Sequence, residues 1–378
     1  MKIGLYSVTD KAIFDALNQN KITNEEMRGL FFRRGILIST QTPRKTLAID
    51  FSKYYHGYKD FQNLSDILGS IGRREKSTNS FIKTNLNKDD IESCIKDTLN
   101  ELNKEGDTTS YFITSNSFEI TIKYVKLDYK LSEFRQSSTR EANIQVEILN
   151  NNEYLLRCPP NPKAEEFTSI LEEKIKEESE GDISTDIITL ESVKSASERT
   201  RFFTKLIKEM KDHDLYDVSD VYISHPILNN LKGEDSELSN NDDESDNESD
   251  NESDIPDLGY HISKASLKGR GILDSEELKD LLDKEFYISR IIWTIKNKKL
   301  VDSDLIELEA QFIDSEKCKK FSYLIRGYYQ YISINEFNKN RKSFNQENER
   351  ELSKLLEKTA RTISDKIIKD NSTSLKNN

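Results

Sequence analysis

Between Glu234 and Asp257 the chain carries 12 acidic side chains and no basic one. The centre of this tract, Asn240–Asp254, repeats a Ser-Asp-Asn-Glu unit and holds no apolar residue. A segment with nothing to bury cannot offset the entropy of ordering itself, so a disordered, solvated linker is expected. Whatever folds must therefore fold before residue 234 or after residue 257. Two other roles compete with the linker: an acidic competitor for a basic surface elsewhere in the chain, and a calcium loop. The second lacks the Gly that such a loop needs at its sharp turn.

The tract also accounts for the whole net charge of -12. Without its 12 acids the chain's 68 Asp and Glu fall to the number of its Lys and Arg, 56. Within this neutral remainder residues 21–76 hold 11 Lys/Arg against 6 Asp/Glu, so the N-terminal region is locally basic.

The 378 residues are enough for two or three domains, and 33% of them are charged. Mean hydropathy is -0.73, and the richest apolar run, Ile288–Ile295, is broken by Ser289 and Arg290. An integral membrane protein is excluded on this pattern, and no membrane partner is expected. Asp10 and Lys11 arrive too early for a secretory core. Cys94, Cys158 and Cys318 are odd in number and far apart, which argues against a disulfide framework or a cysteine-held zinc. A cytoplasmic location is the expectation.

Apolar periodicity divides the rest. The first 105 residues read as mostly helical, ending in Asp89–Asn103 with Ile91, Ile95, Leu99 and Leu102 on one stripe and Cys94 beside it. From Tyr111 to Tyr129 the period becomes two, with Phe118, Ile120, Ile122 and Tyr124 alternating, which means strands. Asn143–Leu149 and Tyr154–Cys158 read as a hairpin across Asn150–Glu153. A helix at Ala164–Glu178, a strand at Ile183–Leu190, a helix at Ser195–Lys211 and a strand at Val218–Ser224 follow. Beyond the acidic tract come a short helix (Ser275–Lys284) and strands at Phe286–Lys296, Asp304–Ile313 and Phe321–Ile332. A terminal helix is expected from Gln346 to Lys369, with Glu357 and Arg361 forming an i,i+4 pair. The expected class is α+β: a helical N-terminal region (1–105), a mixed strand and helix unit (107–230), the acidic tract (234–257), and a second mixed unit (258–378) closed by a C-terminal helix.

The most informative segment is Ile22–Tyr55. Thr23-Asn24-Glu25-Glu26 opens a helix that runs through Met27 and Phe31 to Arg33-Arg34-Gly35, where Gly permits the left-handed stop. Ile36-Leu37-Ile38 is an apolar extended piece. Thr42-Pro43-Arg44-Lys45 then reads as N-cap, proline at the first helical position and a basic first turn, with Leu47 and Phe51 on the inner face. This helix, Arg-Gly, extended linker and basic second helix resembles the SAP-type helix–extended–helix module, with a longer connector and without its second Gly. The resemblance implies contact with the DNA backbone through Arg33, Arg34, Arg44, Lys45 and Lys53, with Arg73, Arg74 and Lys76 as accessory contacts. A helix N-terminus at Thr42–Arg44 suits a phosphate. Gly69–Ser77 is no P-loop, because Gly and Lys are not adjacent in it.

Catalytic signatures are absent from the sequence. His56, His213, His225 and His261 show no metal spacing, and no nucleophile motif occurs. Glu307 and Glu309 beside Lys296–Lys299, and Asp128 with Glu133 near Lys130, are the carboxylate clusters on which a metal-dependent nuclease could be built. Solvated strand faces are the simpler account. Tyr323, Tyr328, Tyr329 and Tyr331 with Arg326 could form a base-stacking sheet face. The leading expectation is a non-catalytic adaptor that binds DNA weakly and independently of sequence, assembles with other protein subunits and needs no cofactor or metal. Richness in Lys, Asn, Ile, Asp and Ser suggests an AT-rich bacterial accessory or defence locus. The alternatives are the nuclease-like enzyme and a protein scaffold that binds no nucleic acid.

Overall fold

The computed structural model describes residues 8–18, 22–69, 75–114, 116–128, 137–150, 152–225, 264–269, 271–334 and 336–376. The acidic tract, Arg73, Arg74, Lys130, Glu133 and His261 lie outside these residues. The chain forms two compact units, one of residues 1–75 with 81–185, the other of 76–80 with 186–378. The class is α+β, with antiparallel strands and a long C-terminal helix. The units differ from the expected division at 105 and 230, for reasons visible in the packing of each.

In the first unit four helices share one core: α1 (Asp10–Asn18), α2 (Asn24–Phe32), α3 (Arg44–Ser52) and α4 (Tyr58–Gly69). Ile13, Leu17, Ile22, Met27, Phe31, Leu47, Phe51 and Leu64 are buried together in it. Thr23 caps α2 in a full capping box: its hydroxyl accepts from the Glu26 N–H, and the Glu26 carboxylate accepts from the Thr23 N–H at 2.7 Å. Such a box satisfies two orphan donors at once. Gly35 ends the helical segment at φ +74, a conformation that side chains with a Cβ resist.

Strand β1 (Ser77–Thr84) starts in the second unit and ends in the first. Sequence periodicity misses it, because only Phe81 and Ile82 among its eight residues are apolar. Helix α5 (Lys88–Lys104), strands β2 (Thr108–Ile113), β3 (Ser117–Leu127), β4 (Ser137–Asn150) and β5 (Glu153–Cys158), and helix α6 (Pro162–Glu178) complete the first unit's second core. The strands run antiparallel in the order β2-β3-β4-β5. Register places Tyr111, Ile120 and Ile144 across from one another on one face, with Val146 opposite Phe118 and Leu156. Helices α5 and α6 bury that face with Ile91, Ile95, Leu99, Phe167 and Leu171. Because α5 packs on the strands that follow it, no boundary falls at residue 105.

After β6 (Ile183–Ile187), the second unit contains α7 (Ala196–Lys208), β7 (His213–Ser224), β8 (Lys264–Lys268), α8 (Glu276–Asp283), β9 (Tyr287–Asn297), β10 (Leu305–Asp314), β11 (Lys319–Tyr329), β12 (Tyr331–Ser333), β13 (Glu336–Phe337) and α9 (Gln346–Lys376). Its strands run antiparallel in the order β11-β10-β9-β7-β8, and Ser77 and Thr78 of β1 pair with Tyr323 and Ser322. Pairing of β7 with β9, and packing of α7 on β9, draw residues 186–225 into this unit. Strand β8 is a second element that periodicity misses, a five-residue piece beyond the acidic tract.

One face of this sheet is apolar. Leu308 stands opposite Trp293, Ala310 opposite Ile291, and Phe312 opposite Phe321. Phe202 on α7 lies with its ring centroid 5.2 Å from that of Phe312 and 5.7 Å from that of Phe321. Helix α9 adds Leu352, Leu356, Ala360, Ile363 and Ile367, all buried. Glu357, read from the sequence as the i,i+4 partner of Arg361, is 2% exposed and accepts from the Tyr323 hydroxyl at 2.6 Å, while Arg361 reaches Asp186 at 3.0 Å.

Candidate nucleic-acid interface

The helix–extended–helix segment sorts its cations into two groups. Arg34 is engaged from within: it donates to the Tyr55 carbonyl at 3.0 Å and to Asp60 at 2.7 Å, and its guanidinium lies 5.0 Å from the Phe51 ring centroid. Arg44 donates to the Ile22 carbonyl at 2.5 Å and the Leu17 carbonyl at 2.8 Å, tying the start of α3 to the end of α1 and the entry to α2. These two arginines hold the helices in place. Arg33, Lys45 and Lys53 are exposed, and none has an acidic partner among the described residues.

Helix α3 starts one residue later than its sequence pattern suggests. Pro43 is the N-cap, and its side chain makes no capping hydrogen bond. The positive end of a helix dipole with open N–H groups is a place where an anion is favoured. Lys76 behaves differently from its expected role as an accessory contact. In the second unit its ammonium sits 2.8 Å from Glu309 and donates to Gln311 at 2.8 Å.

His56 joins the Arg34 cluster. Its Nε2 lies 2.8 Å from the Phe51 carbonyl and its Nδ1 3.0 Å from Arg34, an arrangement satisfied by the neutral ring with the proton on Nε2. Burial holds its pKa below the ordinary 6.5, the Phe51 carbonyl opposes, and the Arg34 charge lowers it further. A depressed pKa means that the unfolded chain binds this proton more readily. The stabilisation is complete above pH 6.5 and is lost as pH falls through the folded value. An NMR titration is expected to place the His56 midpoint below 6.5, and His56→Gln is expected to remove the corresponding fall in thermal stability on the acid side of that value. A midpoint at or above the ordinary value contradicts this.

The carboxylates suggested as a metal site lie on the second, polar face of the C-terminal sheet. Glu307 meets Arg326 Nε at 3.0 Å, the Tyr329 hydroxyl at 3.0 Å, and Arg341. Glu309, 2% exposed, meets Lys76 and Arg290 at 2.8 Å and Arg326 at 3.0 Å. Burial pushes the Glu309 carboxyl up, but Lys76, Arg290 and Arg326 outweigh it and hold it below its ordinary value. Both carboxylates are thus surrounded by cations, an environment opposed to a further positive ion. No group of three potential ligands converges among the described residues. The lysines proposed beside them point to other partners, Lys298 to Asp214 at 3.0 Å and Lys299 to Asp212 at 3.1 Å.

The tyrosines of β11 and β12 do not share a face. Tyr323 is buried against Glu357, Tyr329 bonds Glu307, and Tyr328 packs on Phe344 with ring centroids 4.8 Å apart. A register shift at Glu307/Leu308, opposite Gly327, breaks the alternation. Gly327 has φ +137, and a Cβ there would lie 2.3 Å from the Lys342 carbonyl oxygen, so the strand admits no side chain at this point. Burial also disarms two of the three thiols, raising Cys94 to about 11 and Cys318 to about 12. A thiolate nucleophile at either position is excluded at neutral pH.

Sequence alone does not separate the anchoring arginines from the exposed cations. The signal that could have flagged Arg34 is its neighbourhood of Phe51, Tyr54 and His56, an aromatic setting that suits a guanidinium. No family model matches this chain, and no curated protein matches it. No helix among the described residues is long and apolar enough to cross a membrane.

Proposed function

We propose that this protein is a non-catalytic DNA-backbone binder acting through its N-terminal helix–extended–helix segment, and that it serves as an adaptor to other protein subunits. The observation that carries this reading is the division of labour among five cations. Arg34 and Arg44 lock α2 and α3 in place, which leaves Arg33, Lys45 and Lys53 exposed on a rigid support with no acidic partner among the described residues. The uncapped N-terminus of α3 adds a further anion-favouring feature beside Lys45. Contacts of this kind position a protein on phosphates without reading bases, so binding is weak and independent of sequence. The likeness to SAP-type modules supports the same reading.

The test is fluorescence anisotropy of the full chain with duplex DNA across a salt series. Wild type is expected to bind with a negative log–log salt slope. Changing Arg33, Lys45 and Lys53 to Ala is expected to reduce that slope by roughly 0.9 for each phosphate that is no longer neutralised. Affinity should fall equally for unrelated duplex sequences. Absence of binding by the wild type at low salt overturns the proposal and leaves the scaffold.

A further inference from the structure

The polar face of the C-terminal sheet gathers more guanidinium than its acids use. Arg290 on β9, Arg326 on β11 and Arg341 after β13 surround only Glu307 and Glu309, and no other carboxylate pairs with them among the described residues. Glu309 accepts a hydrogen bond from Arg326 Nη1 at 3.0 Å. Nε of Arg290 lies 2.8 Å from Glu309 and Nε of Arg326 3.0 Å from Glu307, as ion pairs without hydrogen-bond geometry. Both Nη groups of Arg290 and Nη2 of Arg326 have no acceptor among the described residues. The Arg290 guanidinium is braced from the side by Tyr222, its carbon 4.5 Å from the ring centroid. Its side chain is 20% exposed and that of Arg326 27%, so both are fixed within the sheet surface yet reachable from solvent.

We infer that Arg290 and Arg326 form a preorganised binding site for a phosphate group on this face. Arg290 and Arg326 reach the one buried carboxylate of Glu309 from the strands on either side of β10, and together with Lys76 they outnumber it in charge. Arg290 presents its terminal fork, whose parallel N–H donors take two oxygens of an oxyanion at once, and Arg326 adds its Nη2. A phosphate offers a third and fourth oxygen, enough to meet donors arriving from two strands, and its charge balances the excess better than a single carboxylate does. Immobilisation by Glu309, Glu307 and Tyr222 removes the rotamer freedom that a surface arginine loses on binding. This site lies in the second unit and involves none of Arg33, Lys45 and Lys53.

The experiment is calorimetric titration of the full chain with inorganic phosphate, with acetate as the carboxylate probe. Wild type is expected to bind one phosphate and to bind acetate much more weakly. Arg290→Lys and Arg326→Lys keep the charge facing Glu309 and remove the outer fork, so they preserve the fold and are expected to weaken phosphate binding by roughly tenfold or more. The Arg33, Lys45 and Lys53 to Ala variant is expected to bind phosphate as wild type does, which separates this site from the N-terminal one. Displacement of phosphate by a duplex oligonucleotide identifies the phosphate as one on a nucleic-acid backbone, and retention identifies a free phosphate or monoester. Absence of phosphate binding at millimolar concentration, equal binding of acetate, or indifference to both Lys variants overturns the proposal.

Discussion

Glu309→Gln is expected to destabilise the second unit by about 3–5 kcal/mol, among the largest effects of any single substitution in this chain. Glu309 is 2% exposed and holds Lys76, Arg290 and Arg326 within 3.0 Å. An amide in its place leaves three cations facing one another in a half-buried setting. Mutual repulsion then replaces attraction, and the residual hydrogen bonds of a neutral oxygen cannot offset it. The protein supplies its own probe: Trp293 is its one tryptophan and is fully buried in this unit. Urea denaturation followed by tryptophan emission is expected to show the midpoint falling with an unchanged slope, as a loss of native stability requires. A midpoint within experimental error of wild type refutes the view that Glu309 is what neutralises this face.

Phe202→Ala is expected to cost about 3–5 kcal/mol by a different mechanism, the cavity left in a close-packed core. The Phe202 ring is fully buried and meets Phe203, Phe312 and Phe321 with centroids 5.2, 5.2 and 5.7 Å away. Those rings come from α7, β10 and β11, elements of regular structure that cannot collapse freely into the vacated space. Phe202→Leu, which refills much of the volume, is expected to recover a large part of the stability. Both variants are read by the same Trp293 emission, since Trp293 and Phe202 belong to one unit. Equal stability of the Ala and Leu variants contradicts a packing origin.

Much of the architecture is legible where apolar residues repeat with a clear period. The α5 stripe of Ile91, Ile95, Leu99 and Leu102, the alternation along β3 and the hairpin of β4 and β5 all follow from burial of one face. Strand β1 is illegible because its residues Ser77, Thr78, Asn79 and Ser80 gain their place from pairing with strands distant in sequence, a cause no local pattern encodes. The same limit applies to charges. Alternation along β10 correctly sets Glu307 and Glu309 apart from Leu308 and Ala310, but it implies a wetted face, whereas cations from other segments bury both carboxylates. Glu357 escapes sequence reasoning for a related reason. Helical spacing offers Arg361 as its neighbour, and only the fold brings the Tyr323 hydroxyl to it.

In the helical region, spacing locates the start of α2, Gly35 and the start of α3 to within a residue, because capping and glycine stops are local chemistry. Helix α2 itself ends at Phe32, two residues before the expected Arg34. What spacing does not supply is which cation is committed internally. Arg33 and Arg34 are adjacent and chemically identical, yet the turn at Gly35 points one at Asp60 and leaves the other exposed.

Cys94 sits in the first unit's sheet core and Cys318 in the second unit, both buried and both with thiols held in the protonated form at neutral pH. Neither sulfur can react with an alkylating reagent until the structure around it opens. The chain therefore carries two native timers, one per unit, each started by the opening of its own surroundings. Their separate rates of modification measure how independently the two halves breathe, without a label being introduced.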